Sequence, residues 1–248
     1  TMTAVLGRVM CGASLIGSLL KNKEDSLTLR IDGDGPAGKI ICVSDYLGNV
    51  RICADHYGVE LPPNASGKLD VGGAVGRGTL YVIRDLGLAE PYIGSAALVS
   101  GEIAEDITNY FAASEQTPTV CALGVRADTE KRCIAAGGYL VQLLPGADEG
   151  IVPALERNMA SMESVSKLIK DGVSGEEIVA RVFDGIPFDL FDKFECGYVC
   201  SCSRERYLSA LRGLPRADID EMKADGQPIE ALCRFCGKKY SFSPDEIG

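Results

Sequence analysis

Two close pairs of cysteines near the carboxyl end constrain the fold of this chain more than any other feature. The first pair, C-x-C, is Cys200 and Cys202, and the second, C-x-x-C, is Cys233 and Cys236. Each pair can deliver two thiolates to one side of a tetrahedral ion, and the intervening segment can fold back to bring the pairs together. Because thiolate is a soft ligand, the set favours zinc over harder cations. We therefore predict a zinc site built from these four side chains.

The one-residue spacing of the first pair is unusual, because most structural zinc ribbons use C-x-x-C or a longer spacing on both sides. Zinc holds cysteine as the thiolate, which is also the form that reacts with oxidants. Thiols one residue apart also lie close enough to oxidise together once the metal leaves. The site is therefore predicted to be structural, oxidant-sensitive or both. The alternatives are four ordinary buried cysteines or two disulfides.

The chain contains ten cysteines, and six of them lie outside the two pairs. Five are scattered on apolar runs and are predicted to be small buried hydrophobic side chains; they are Cys11, Cys42, Cys53, Cys121 and Cys133. The sixth, Cys196, is an extra thiol just before the first pair. No secretory signal is recognisable, so we expect a reducing cytoplasm as the compartment.

Charge and hydropathy argue against two classes of partner. The formal net charge is −10, which disfavours nucleic acid and anionic membranes as partners. Residues 196–248 carry eight basic and eight acidic side chains, which argues against a basic nucleic-acid-binding zinc finger. Residues 1–20 are apolar, but Arg8 and three glycines interrupt them, so neither a membrane span nor a signal peptide is predicted.

Residues 1–148 are predicted to form an α/β-type core domain, with mixed sheets and packed helices, in a chain of the α+β class. Residues 26–33 alternate between apolar and polar side chains, as a half-buried strand does. Residues 101–116 carry apolar side chains at helical spacing and acidic side chains in the first turns, which predicts a helix. Further predicted elements are a buried helix over 1–20, a hairpin around Tyr46–Gly48, and strands at 78–87, 92–101, 117–128 and 133–146.

Residues 149–195 change character and are predicted to be a helical linker of three short, acidic, amphipathic helices. Ser174 followed by Glu177 has the spacing of a capping box. Such thinly apolar helices can fold against a neighbour but are marginal alone. The remaining residues, 196–248, are predicted to be a small Cys₄ zinc domain, with a helix after the first cysteine pair and two strands around the second.

Two glycine-rich motifs and the only histidine are predicted to have structural roles. Residues 33–38 match G-x-G-x-x-G, but a strand follows where a dinucleotide fingerprint needs a helix, so a tight turn is predicted. Residues 72–78 lack the Lys-Ser/Thr of a phosphate loop and are predicted to be a turn or flexible loop. His56 has no accompanying nucleophile-elbow motif and is predicted to be a surface residue. No catalytic residue is therefore predicted, and we expect a protein that is not an enzyme.

Several segments together resemble one known family. Residues 200–206, CSCSRER, and 233–242, CRFCGKKYSF, resemble the carboxy-terminal redox switch of the heat shock protein 33 family, the redox-regulated holdase chaperones. Residues 100–119 and 135–147 resemble core-domain signatures of that family, and residues 30–40 are similar to its glycine turn. The resemblance covers nearly the whole chain, and the combination of segments is specific.

The resemblance implies an ATP-independent chaperone that binds unfolding proteins under oxidative stress. In the reduced, inactive form the chain would hold one Zn²⁺ through Cys200, Cys202, Cys233 and Cys236. Peroxide or hypochlorite would oxidise these thiolates to two disulfides, Cys200–Cys202 and Cys233–Cys236, and zinc would leave this redox-switch domain. The domain and the linker would then unfold and expose apolar surface to unfolded or partly unfolded client proteins. A homodimer is the assembly expected for the oxidised form.

The chain departs from the family at two points. Family members usually begin with a strand and part of a helix ahead of the position of Thr1, so we expect a preceding amino-terminal segment of the core. Cys196 stands where the family mostly has an apolar residue. It could compete for zinc or offer another disulfide partner.

Two other functions are compatible with the cysteines. A binding or scaffold protein with a purely structural Cys₄ zinc domain would keep its metal under peroxide. A thiol–disulfide oxidoreductase would use Cys233 and Cys236, but no thioredoxin-like βαβ segment precedes this C-x-x-C.

Overall fold

The computed structural model of the protein describes residues 1–247, which fold into two compact units with the boundary between Gly197 and Tyr198. The first unit contains both the predicted core and the predicted linker segment. The division of the chain into a core domain (1–148), a helical linker (149–195) and a zinc domain (196–248) remains a prediction. The predicted α+β class is confirmed. Every strand pair in the described part of the chain is antiparallel, where mixed sheets were predicted, because short connections join most neighbouring strands.

A five-stranded sheet forms one layer of the first unit. Its strands are β1 (Ser26–Gly33), β2 (Lys39–Asp45), β3 (Val50–Ala54), β4 (Gly78–Asp85) and β5 (Tyr92–Ala97). They lie in the order β3-β2-β1-β4-β5. The central strand β1 shows the predicted alternation, since Leu27, Leu29 and Ile31 are buried and the residues between them are partly exposed.

A first helix, α1 (Met2–Gly17), packs against this sheet and against a second sheet of two strands, β6 (Thr119–Ala127) and β7 (Cys133–Gln142). Neighbours approach the helix closely because it carries glycine: a Cβ on Gly12 would lie only 2.5 Å from Ile107 Cδ1. Contact with both sheets explains why the sequence of α1 is apolar on nearly all sides, as predicted for a buried helix. The helix ends three residues before the end of the predicted segment 1–20.

Two shorter helices complete the part of the first unit before residue 149. One is α3 (Ala104–Ala113), which packs on β5 and β6 and was predicted. The other is α2 (Val71–Val75), where a turn or flexible loop was predicted. This helix begins because the Asp70 carboxylate accepts a hydrogen bond from Gly73 N at 2.8 Å. It ends at Gly76, whose φ of 75° is in the left-handed region.

The predicted linker segment is helical and lies within the first unit. It contains a 3₁₀ turn (Glu149–Ile151) and the helices α4 (Val152–Ser161), α5 (Val165–Lys170) and α6 (Gly175–Val182). The predicted capping box is present at α6. The Ser174 hydroxyl accepts a hydrogen bond from Glu177 N at 3.2 Å, and the Glu177 carboxylate accepts one from Ser174 N at 2.8 Å. Helix α5 packs on β6 and β7, and α4 packs on α6.

The second unit is small and thinly apolar. Its elements are α7 (Arg204–Arg212), α8 (Arg216–Ala224), β8 (Ile229–Leu232), β9 (Lys239–Phe242) and α9 (Pro244–Ile247). Three apolar side chains form its buried core, namely Ile219, Phe242 and Ile247. The Arg204 guanidinium lies 4.6 Å from the centre of the Phe242 ring and forms an ion pair with Glu246 at 2.7 Å. Helices α8 and α9 were not predicted.

Two further sequence expectations concern turns and membrane spans. Residues 33–38 form the end of β1 and a turn, as predicted, and Gly38 has a φ of 67°. Across residues 1–247, every helix is too short or too polar to cross a lipid bilayer.

Candidate metal centre

The four predicted ligands come from two irregular segments of the second unit. Cys200 and Cys202 lie in the extended chain just before α7, and Cys233 and Cys236 lie in the turn between β8 and β9. The turn is closed by two hydrogen bonds: Cys233 N donates to Lys238 O at 2.9 Å, and Gly237 N donates to Cys233 O at 2.8 Å. Gly237 has a φ of 71°, which glycine adopts without strain. This turn directs both of its thiols to one side.

The structure brings all four sulfurs together. Their Sγ atoms lie within 4.8 Å of one another, and the set stands alone among residues 1–247 as a group of metal-ligating side chains of this kind. Cys200 Sγ lies 3.7 Å from Cys233 Sγ, and Cys202 Sγ lies 3.4 Å from Cys236 Sγ. A tetrahedral ion with Zn–S bonds of about 2.3 Å needs sulfurs about 3.8 Å apart. The number, type and spacing of the donors therefore fit a tetrahedral, thiophilic metal ion.

Cys233 and Cys200 differ in the acidity of their thiols. Burial disfavours the thiolate of Cys233, but N–H groups of Cys236 and Phe235 and the Tyr207 hydroxyl stabilise it, and they lower the pKa of Cys233 to about 6. Burial raises the pKa of the Cys200 thiol to about 12. A divalent cation would compensate the repulsion between neighbouring thiolates, so metal binding at this site is coupled to proton release.

Two tyrosines that were not predicted as part of the site lie beside the sulfurs. The Tyr240 hydroxyl lies 3.1 Å from Cys202 Sγ, and its ring lies 5.1 Å from the ring of Tyr207. A third hydroxyl, on Tyr198, donates to the carbonyl oxygen of Phe235 inside the second cysteine turn. The only indication in the sequence is their spacing: Tyr207 follows the first cysteine pair by five residues, and Tyr240 follows the second pair by four. Groups that hydrogen-bond to metal ligands fix ligand orientation and reactivity.

Cys196 does not belong to the four-sulfur group. It lies in the first unit, where its Sγ is 4.0 Å from Ser14 Oγ of helix α1. Its side chain is exposed and belongs to the first unit, although the predicted zinc domain begins at residue 196.

The remaining cysteines and the histidine are placed largely as predicted. Cys42, Cys53 and Cys121 are buried, and Cys11 is half-buried. Cys133 is exposed, which corrects the prediction that it is a buried apolar side chain. The reason is its position as the first residue of β7, beside an irregularity in the β6–β7 pairing at residues 126 and 127. His56 is exposed, as predicted.

The fold and the site define a protein of two α+β units, with four cysteines that could hold a metal ion in its carboxyl-terminal unit. The sequence profile of the family described as Hsp33 protein matches residues 1–243. The 33 kDa chaperonin of Ruminiclostridium cellulolyticum is 45% identical over 245 residues, covering 99% of this chain and 84% of the relative. That of Symbiobacterium thermophilum is 44% identical over 245 residues, covering 99% and 83%.

Solved structures lead to the same family. The crystal structure of the 33 kDa chaperonin (heat shock protein 33 homolog) from Thermotoga maritima superposes with a TM-score of 0.88 at 37% identity, covering 98% of this chain and 82% of that one. The chain belongs to the Hsp33 family of chaperones.

Proposed function

We propose that this protein is a redox-regulated, ATP-independent holdase that binds unfolding proteins under oxidative stress and has no enzymatic activity. The reduced, metal-bound form would be inactive, and oxidation of the four metal-site cysteines would activate it in the cytoplasm. The observation that carries this proposal is the four-cysteine group, which follows linker helices that bury few side chains.

The dependence of the second unit on its metal follows from its small core. Burial of three apolar side chains is little for a unit of this size, and small domains of this kind usually need a metal or disulfides to fold. We assign the metal as Zn²⁺, one per chain, bound by Cys200, Cys202, Cys233 and Cys236. Zinc would hold the four cysteines as thiolates and would supply most of the folding free energy of the unit.

Oxidation of the thiolates would remove these ligands. Peroxide converts a thiolate to a sulfenic acid, which a neighbouring thiol attacks to form a disulfide and water. We propose the pairs Cys200–Cys202 and Cys233–Cys236. In the folded site, Cys202 and Cys236 are closer neighbours, at 3.4 Å. Once the unit unfolds, however, pairs separated by one or two residues meet far more often than pairs separated by a long loop.

The linker helices rest on the core through few buried side chains. Val165 and Leu168 of α5 are buried, and α5 contacts both strands of the β6–β7 sheet. Helices α4 and α6 are joined through buried Leu155, Ile178 and Val182. Each such side chain stabilises docking by about 1.5–3 kcal/mol, and helices this short are marginal without such docking. We therefore expect the linker helices to unfold when the second unit unfolds.

Unfolding of the linker would expose apolar surface on both the linker and the core. The face of β6 and β7 that α5 covers would become accessible to a client. The chain between α6 and the second unit already exposes aromatic side chains, since Phe191 is 89% exposed and Phe194 is 61% exposed. Unfolded or partly unfolded proteins, which present apolar segments, are the partners that such a surface fits. An oxidised homodimer would bury part of the same surface.

A combined assay of zinc content and client aggregation tests this function. The reduced protein should hold one zinc per chain and fail to suppress aggregation of a heat-denatured client. After peroxide treatment at mildly elevated temperature it should release the zinc and suppress aggregation. Equal suppression of aggregation before and after oxidation would show that oxidation does not regulate the chaperone activity. Retention of zinc with four protected thiols would instead indicate a scaffold protein with a purely structural zinc domain.

A further inference from the structure

Three cysteines from three different elements line one cavity of the first unit. Cys11 is on α1, Cys133 begins β7, and Cys196 lies near the end of the unit. The cavity has a volume of about 580 Å³ and is otherwise lined mainly by apolar side chains and glycines, among them Leu6, Met10, Leu15, Val50 and Ala136. None of the three thiols belongs to the four-sulfur metal centre. The proposed switch therefore leaves this second group of thiols unexplained.

Cys196 is held at the cavity by its neighbour in the chain. Gly197 N donates to the Asn49 side-chain oxygen at 3.0 Å, and Gly197 O accepts from Val50 N at 2.9 Å. These bonds fix the last residues of the unit to the β2–β3 hairpin. They place Cys196 Sγ 4.0 Å from Ser14 Oγ.

Cys11 lies one helical turn before Ser14, on the same side of α1. Side chains three residues apart on a helix have Cβ atoms about 5–6 Å from each other. Both residues line the cavity that Cys196 borders. Cys196 therefore lies beside the side of α1 that carries Cys11.

The two thiols differ in accessibility. Cys196 is exposed, so peroxide reaches it from solvent, and Cys11 is half-buried against the core. Burial, together with the nearby Cys133 and Cys196, raises the pKa of the Cys11 thiol to about 11. Cys11 is thus protected from direct oxidation, because the thiolate is the form that peroxide attacks. It remains available to a sulfenic acid that forms beside it.

We propose that Cys196 is a second oxidation site of this protein and that Cys11 captures its oxidised form as a Cys11–Cys196 disulfide. The Cys196 thiolate attacks one oxygen of hydrogen peroxide, which gives the Cys196 sulfenic acid and hydroxide. The Cys11 sulfur then attacks the Cys196 sulfur, the S–O bond breaks, and the hydroxyl group leaves as water with the Cys11 proton. Two thiols are oxidised and one peroxide is reduced to two waters.

The disulfide would anchor the carboxyl end of the linker to helix α1. The linker would then be attached to the core at both ends, by β7 before it and by Cys196 after it. A linker that unfolds would stay close to the surface that it uncovers. Because a closed loop has fewer unfolded conformations than a free segment, the disulfide would also disfavour unfolding of the linker. This anchoring requires no change at the metal centre.

Peptide mapping after oxidation tests the inference. Reduced, zinc-loaded protein is treated with hydrogen peroxide, its remaining thiols are blocked with N-ethylmaleimide, and a digest is analysed by mass spectrometry without reduction. We expect a peptide pair linked through Cys11 and Cys196, two hydrogens lighter than the sum of the free peptides. Cys133→Ser should retain the linked pair. Cys196→Ser should lose it and leave Cys11 open to alkylation after unfolding in denaturant.

Other chemical fates of Cys196 would overturn the inference. These are recovery of Cys196 mainly as the free thiol, as the sulfinic acid, or linked to Cys133 or to a metal-site cysteine. Zinc release, measured in the same samples, reports the proposed switch separately. A linked Cys11–Cys196 pair in protein that keeps its zinc would support this inference and count against the proposed function.

Discussion

Gly124 and Gly137 face each other across the β6–β7 sheet, directly beneath helix α5. A Cβ on Gly124 would lie 2.6 Å from the backbone nitrogen of Ser166, and one on Gly137 would lie 2.3 Å from Ile169 Cδ1. Neither glycine has a positive φ, so both are explained by the closeness of the helix rather than by backbone strain. The absence of side chains at these two positions allows a linker helix to rest directly on the sheet.

Substitution of Gly124 by alanine should loosen the linker without touching the metal. The new methyl group meets backbone, which cannot rotate away, so we expect α5 docking to weaken by about 1–3 kcal/mol. The reduced, zinc-loaded variant should show faster amide exchange in residues 164–171 and partial suppression of client aggregation. Gly137→Ala should have a smaller effect, since the Ile169 side chain that it meets is flexible.

Gly175→Ala is a matched control for this experiment. Gly175 is the first residue of α6, nothing lies within 4 Å of the position of a new Cβ, and its φ is not positive. Alanine there favours the helix by about 0.5–1 kcal/mol. Equal loosening by Gly175→Ala and Gly124→Ala would show that the contact with the sheet does not hold the linker.

Replacement of one metal-site cysteine should unfold the second unit. Cys233→Ser removes a buried sulfur from the four-sulfur group, and a three-thiolate site binds zinc far less tightly. We expect zinc content to fall from one per chain to nearly none after dialysis, with loss of helical circular dichroism from α7 and α8. Cys196→Ser is the matched control and should keep full zinc content. Zinc loss in Cys196→Ser would mean that this thiol contributes to zinc binding.

The Tyr240 hydroxyl should slow oxidation of the metal centre. It lies 3.1 Å from Cys202 Sγ, and a hydrogen bond donated to a thiolate lowers its nucleophilicity. A net hydrogen-bond contribution of about 1 kcal/mol corresponds to a rate change of about fivefold. Tyr240→Phe should therefore release zinc about fivefold faster at a given peroxide concentration, as followed with a chromogenic chelator.

Tyr198→Phe provides the control for this rate. The Tyr198 hydroxyl donates to the carbonyl oxygen of Phe235, so its loss should leave the rate of zinc release within about twofold of wild type. An unchanged rate in Tyr240→Phe, or the same acceleration in both variants, would remove the role assigned to Tyr240.

Disulfide mapping distinguishes the order of oxidation and unfolding. If the unit unfolds before the second thiol of each bond reacts, Cys200–Cys202 and Cys233–Cys236 should dominate, since short loops close most readily. If both bonds formed in the folded site, Cys202–Cys236 should appear, because these sulfurs are 3.4 Å apart. We expect the local pairs, and a dominant Cys202–Cys236 link would contradict this order.

Local sequence patterns predicted most of the secondary structure and the four cysteines that the structure brings together. The alternation over residues 26–33 identified β1, and the spacing of Ser174 and Glu177 identified the cap of α6. These features depend on side chains close together in sequence. The four cysteines were identifiable because two close pairs of cysteines in one small domain are typical of a site for a thiophilic metal ion.

The features that sequence reasoning missed depend on contacts between distant residues. Nothing near Cys196 in the sequence indicates that it lies beside Ser14, more than a hundred residues away. Likewise, the sequence does not show why residues 124 and 137 are both glycine, because the reason is their close contact with α5. Tyr240 looks like an ordinary strand residue until its hydroxyl is placed beside Cys202.

Hydrogen–deuterium exchange of residues 152–182, measured together with zinc release during a peroxide titration, tests the central claim most directly. The amides of α4, α5 and α6 should be protected while zinc is bound and should lose protection in proportion to the zinc released, with the β1–β5 sheet unchanged. Reduction with added Zn²⁺ should restore protection. Linker amides that stay protected after the zinc has left would contradict the account, because the metal centre would then not control the linker.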